Sequence, residues 1–109
     1  MEHLMANVKP DAIARIRMYT KEEGGKSKVI SGEQFGCPLY YKQEGFDCRL
    51  LLGGQRNLCA GDTAELPIKF LFPEHIKPRL KKGDTFTLWD LGTFAEGEIL
   101  EIIEDDADG

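Results

Sequence analysis

Long apolar runs are missing from this sequence. No window of 18 or more apolar residues occurs in its 109 positions, so no membrane-spanning helix is predicted. The opening MEHLMANVKP lacks the basic-then-apolar order of a secretion signal, and a cytoplasmic protein is expected. Helical periodicity is missing as well. Apolar residues do not recur every three or four positions, which argues against a helical bundle.

Residues suited to chemistry are equally sparse. Three cysteines, Cys37, Cys48 and Cys59, cannot all pair within one chain, and none forms a CxxC or stands beside a histidine at metal-ligand spacing. They read as reduced, partly buried thiols, because a reactive thiol needs an electropositive, exposed setting. The two histidines, His3 and His75, lie far apart in sequence. Neither HExxH nor GxSxG occurs, and GGKS at 24–27 lacks the upstream glycine and the following helix of a phosphate loop. EDDADG at 104–109 begins like a calcium loop but stops before the ligands that loop needs. Glu22 and Glu23 sit beside glycines, without the burial a general acid requires. No catalytic residue, metal site or cofactor is predicted, and the chain is not expected to be an enzyme.

What charge there is lies unevenly. Net charge is −5, yet residues 1–56 carry nine Lys/Arg against seven Asp/Glu, and residues 57–109 carry five against twelve. Seven of those acids fall between Glu96 and Asp108 with no base among them, and without that stretch the rest is +2. A nearly neutral body with an acidic end weakens a nucleic-acid reading without removing it.

Alternation is what the sequence does have. Ala14, Ile16 and Met18 oppose Arg15, Arg17 and Tyr19; Phe46, Cys48, Leu50 and Leu52 oppose Asp47, Arg49 and Leu51. In AELPIKFLF, Ala64, Leu66, Ile68, Phe70 and Phe72 share one face, and Pro67 on the other argues for an edge or bulge. Phe86 and Leu88 form the inner side of DTFTLWD, AEGEILEII is apolar on both faces, and LYYKQ adds a sixth strand. Turn signals separate them: GG at 24–25, EG at 44–45, GGQR at 53–56, AGD at 60–62, KKGD at 81–84 and LGT at 91–93. Six short strands with such punctuation predict an all-β fold closed as a small antiparallel barrel or sandwich. Two segments, Lys21 to Gly36 and Phe72 to Gly83, are long for hairpin loops, and long loops on a rigid barrel are where function is usually carried. Residues 1–7 and 104–109 are expected to be a flexible N-terminus and an acidic tail around a domain spanning 8–103.

The order of parts resembles a known family. IARIRMYTKEEGGK, the aromatic strand LYYK, AGDTAELPIKF and KKGDTFTLWDLGTFAEGEILEI follow one another as do the parts of the C-terminal domain of bacterial elongation factor Tu. There the parts read SKEEGGR, RPQFYFR, a PGD turn with a long strand, a histidine-proline loop, FAIREGG and a small-aliphatic last strand. VKPDAI resembles the segment leading into that domain.

The resemblance implies a six-stranded antiparallel closed barrel without a catalytic role, which holds the T stem of aminoacyl-tRNA and meets protein partners. GTP binding is not implied, since no GTPase domain is present. Carried over residue by residue, the RNA contacts would be Gly25 and Lys26 of the KEEGGK turn, Lys42 after the aromatic strand and Gly92 of DLGT. Lys28, Tyr41 and Trp89 are further candidates for binding. Where the family has RPQ this chain reads GCP, Gly36 to Pro38, which removes an arginine and an amide from a phosphate- and 2′-OH-reading surface. The expected function is therefore a non-catalytic, translation-related protein-interaction module, assisted by outward apolar residues such as Leu51, Leu71 and Trp89. The alternative is a module contacting tRNA-like duplex through loop lysines.

Overall fold

The computed structural model describes residues 9–25 and 28–104. The expectations for MEHLMAN, for Lys26 and for the tail beyond Glu104 lie outside the described residues. Eight strands form: β1 (Ala12–Met18), β2 (Val29–Ile30), β3 (Gln34–Tyr41), β4 (Glu44–Leu51), β5 (Leu58–Cys59), β6 (Thr63–Phe70), β7 (Thr85–Trp89) and β8 (Thr93–Ile102). Six of them close an antiparallel barrel in the order β1-β6-β4-β3-β7-β8, while β2 and β5 pair as a small separate ribbon. No helix among the described residues is long and apolar enough to cross a membrane.

Alternation puts one face of every barrel strand inside. Ala14, Ile16 and Met18 of β1, Cys48 and Leu50 of β4, Leu66, Ile68 and Phe70 of β6, and Phe86 and Leu88 of β7 all belong to one buried core. Gly97 of β8 also points inward, and a Cβ there would meet Phe86 at 2.3 Å. The ring takes the space a side chain would need.

Four details differ from the pattern in the sequence. Phe72, expected inside, is exposed, because β6 ends at Phe70 and the chain turns into two 3₁₀ turns, Pro73–His75 and Lys77–Arg79. The EG pair at 44–45 is not a turn but the start of β4; the hairpin loop is Lys42–Gln43, both on left-handed backbone at φ 52° and 69°. The long segment after Lys21 contains β2 and the first residues of β3. β8, apolar on both faces, is resolved by a bulge: Ala14 pairs with Ile99 and Ile13 with Glu101, so Leu100 is the extra residue. The bulge turns Ile102 toward the core that Ile99 already faces.

Two seams of the barrel are only partly laced. β3 and β7 pair only through Leu39 and Tyr40, and β4 and β6 through Cys48 to Leu50. A proline stands just past the end of each pairing, Pro38 in β3 and Pro67 in β6. β6 lies between β1 and β4 rather than at a sheet edge, and Pro67, which has no N–H to give a ladder, stands where the pairing with β4 stops. Arg56 donates to the Glu65 carbonyl beyond the second seam, at 3.0 Å.

Candidate functional site

The KEEGG turn is built by Glu23. Thr20 and Glu23 bond reciprocally: the Thr20 N–H donates to Glu23 Oε1 at 2.8 Å, and the Glu23 N–H donates to Thr20 Oγ1 at 3.2 Å. This is the exchange of a capping box around a single turn. Arg17 grips the same carboxylate with two nitrogens, at 2.9 and 3.1 Å, and reaches Glu96 with Nε at 3.2 Å. The Arg17 hydrogen bonds, aided by the Thr20 N–H, hold the Glu23 carboxyl down at about 2. Gly25 then packs so closely that a Cβ would lie 2.3 Å from the Tyr19 carbonyl oxygen.

Facing this turn is the Asp90–Gly92 loop between β7 and β8. Lys28 ties the two together through an ion pair with Asp90, its Nζ also lying 5.4 and 5.5 Å from the ring centres of Phe35 and Phe94. Those rings meet edge to face. Lys28 is thus boxed in, with its charge already matched. Between turn and loop lies a cleft of about 260 Å³, its wall formed by Gly24, Gly25, Lys28, Asp90, Leu91 and Gly92, with Thr93 and Phe94 beyond.

Apolar, solvent-facing residues line the cleft or adjoin its lining in sequence. Leu91 is 87% exposed and sits on left-handed backbone at φ 57°, Trp89 is 40% exposed, and Val29, next to Lys28, is 53% exposed. A leucine at positive φ is strained. Here that strained residue is the tip of the loop, and its side chain faces water.

Of the residues singled out from the sequence, Gly25, Lys28 and Gly92 line this one cleft and Trp89 stands beside it. Lys26 falls outside the described residues. Tyr41 and Lys42 do not join them. Tyr41 ends β3 and Lys42 opens the hairpin loop after it, at the opposite mouth of the barrel. The Tyr41 ring is buried, and its hydroxyl lies 2.5 Å from Asp84 Oδ2 and 2.9 Å from the Arg79 carbonyl. Burial and the Asp84 charge push the Tyr41 phenol up, while its hydrogen bond pulls the Asp84 carboxyl down. Lys42 packs its ammonium 5.4 Å from the Tyr41 ring centre.

Leu91 and Val29 were not singled out in the sequence. The signal was present for Leu91: a leucine between Asp90 and Gly92 in a tight loop has no inward direction to take. Leu51, expected outward, is half-buried, whereas Leu71 is exposed.

Among the described residues no group of three or more His, Cys, Asp or Glu could hold a metal ion. Cys37 and Cys48 face each other across β3 and β4, both buried, and Cys59 is exposed. A hydrogen bond with Cys37 and burial push the Cys48 thiol well up, away from the thiolate a nucleophile needs. His75 stacks on Phe72 at 5.6 Å. No protein-family model matches the chain, and no curated protein matches it.

Proposed function

We propose that the chain is a non-catalytic protein-interaction module whose contact surface is the cleft end of the barrel, with Trp89, Leu91 and Val29 as its apolar rim. The observation that carries this is Leu91: a large apolar side chain, 87% exposed, held out on left-handed backbone. Exposed apolar side chains, tryptophan above all, are typical of protein contacts, and Trp89 lies two residues from Leu91. The order of motifs shared with the elongation factor Tu C-terminal domain supports a partner from the translation machinery and a cytoplasmic setting.

RNA is the second reading, favoured by one observation: Gly25 and Gly92, which the resemblance implies as RNA contacts, line the same cleft as Lys28, a further binding candidate. Against it, the Lys28 charge is matched by Asp90 rather than offered to phosphate.

A pull-down from the source cell with the intact chain, its Leu91→Ser variant and nuclease-treated lysate separates the two. Captured proteins should survive nuclease and be lost with Leu91→Ser. If every partner vanishes with nuclease and Leu91→Ser changes nothing, the protein-contact reading fails and the RNA reading takes its place.

A further inference from the structure

A larger cavity, about 610 Å³, lies on the outer wall of the barrel. It is formed by two cross-strand rows. The register Tyr40↔Thr87↔Glu96↔Arg17↔Thr63 runs across β3, β7, β8, β1 and β6. The next row is Thr85↔Glu98↔Arg15↔Glu65. Between the rows Phe86, Gly97 and Ile16 face the core, so nothing rises from the floor. Two residues of strand separate the rows by about 7 Å, and five strands at about 4.8 Å spacing make the groove about 19 Å long. An extended polypeptide fits such a trough.

The charges decide which polypeptide. Arg17 is clasped by Glu96 and Glu23, and Arg15 by Glu98 at 3.3 Å and Glu65 at 3.9 Å. Two carboxylates, Glu96 and Glu98, line the groove with the two guanidiniums, and two more, Glu23 and Glu65, hold the arginines from outside it, so four carboxylates stand against two guanidiniums. An anion entering the groove meets surplus negative charge, whereas a cation meets carboxylate oxygens with lone pairs to spare. Tyr40 closes one end, 40% exposed and fixed by packing over Gly45, where a Cβ would come within 3.1 Å of the ring. A fixed, exposed phenol ring is a suitable platform for a cationic side chain.

We propose that this groove takes an extended, lysine- or arginine-rich segment of a partner protein, laid across the strands. It is a different surface from the Leu91 cleft, and it does not depend on what that cleft binds.

The test is a titration of the isotope-labelled full chain at low salt with a short synthetic peptide alternating arginine and threonine, followed by amide shifts. Saturable shifts should centre on Thr85, Thr87, Glu96 and Glu98, with a Kd below about 1 mM. The double variant Glu96→Gln, Glu98→Gln should weaken binding about tenfold, equivalent to ~1.4 kcal/mol. Thr87→Lys should do the same while leaving both arginine clasps intact, and Leu91→Ser should leave the titration unchanged. The proposal is overturned if no shift appears, if the shifts centre elsewhere, or if a peptide with glutamate in place of arginine binds equally. It also falls if compact spermine or a duplex RNA oligomer takes the groove as tightly as the peptide.

Discussion

At the mouth of the barrel where β1 begins and β8 ends, polar groups are bolted to one another. Asp11, only 3% exposed, accepts the Phe70 N–H at 2.8 Å and stands 3.3 and 3.4 Å from the ammonium groups of Lys69 and Lys77. Lys77 in turn donates to the Ile103 carbonyl at 2.7 Å, and the Ile103 N–H donates back to the Asp11 carbonyl at 2.9 Å. Tyr41 and Asp84 make a second bolt alongside. The other mouth has a firm KEEGG turn and, at Leu91, the most exposed of the large apolar side chains among the described residues. The first mouth also leaves Leu71 and Phe72 facing water, but it alone is closed by a buried carboxylate and its ion pairs. Stability and binding should therefore be separable by position.

The strongest attack on that division is Asp11→Ala. It strands the buried Phe70 N–H, at a cost of about 1–3 kcal/mol, and takes the carboxylate from two partly exposed ammonium groups besides. Thermal melting should show a large drop in Tm, with cleft binding unchanged below the new transition. Tyr41→Phe should cost about 1–3 kcal/mol, because Asp84 loses a donor in a partly buried site. The Asp84 carboxyl should then titrate higher in a carbon-detected pH series. A change in partner binding from either variant would break the comparison.

The bolted mouth also carries a flaw that can be repaired. Lys42 and Gln43 occupy a two-residue hairpin loop at positive φ where Asn-Gly is preferred. Lys42→Asn with Gln43→Gly should raise stability by about 1 kcal/mol, read from denaturant midpoints. Leu91→Ser should move stability by no more than about 0.5 kcal/mol, as surface changes usually do. Its effect should fall on partner capture alone.

The smallest effect concerns pH. Glu23 has its carboxyl held at about 2 against an ordinary 4.5. A depressed folded value means that its contribution is complete above the unfolded value and is lost as pH falls through about 2. A titration midpoint for Glu23 near 4.5 would show that the Arg17 clasp is not maintained.

The strands were legible because alternation is local and each inward residue announces itself two positions later. The Lys42–Gln43 loop was not, because the neighbouring Glu44-Gly45 has the better turn composition, and only the pairing of Tyr41 with Glu44 decides between them. The Leu100 bulge was hidden for a related reason: an apolar run on both faces does not reveal which residue is extra. The cleft was half legible. Motif order singled out Gly25 and Gly92, with Lys28 as a further candidate, but that Asp90 matches the Lys28 charge depends on two segments 62 residues apart meeting in space. Glu23, set aside as one of two exposed acids, organises the turn through Arg17. Its partner lies on a strand whose direction relative to the turn no local pattern fixes.

Pro38 and Pro67 carry a consequence for life in a crowded solution. The two half-laced seams are where a strand from a neighbouring molecule would find an unfinished ladder. At each seam the first position past the pairing withholds its donor, so an incoming strand meets a gap in the hydrogen-bond row. Proline at these sites lets the barrel keep short, loosely joined walls without inviting its copies to finish them.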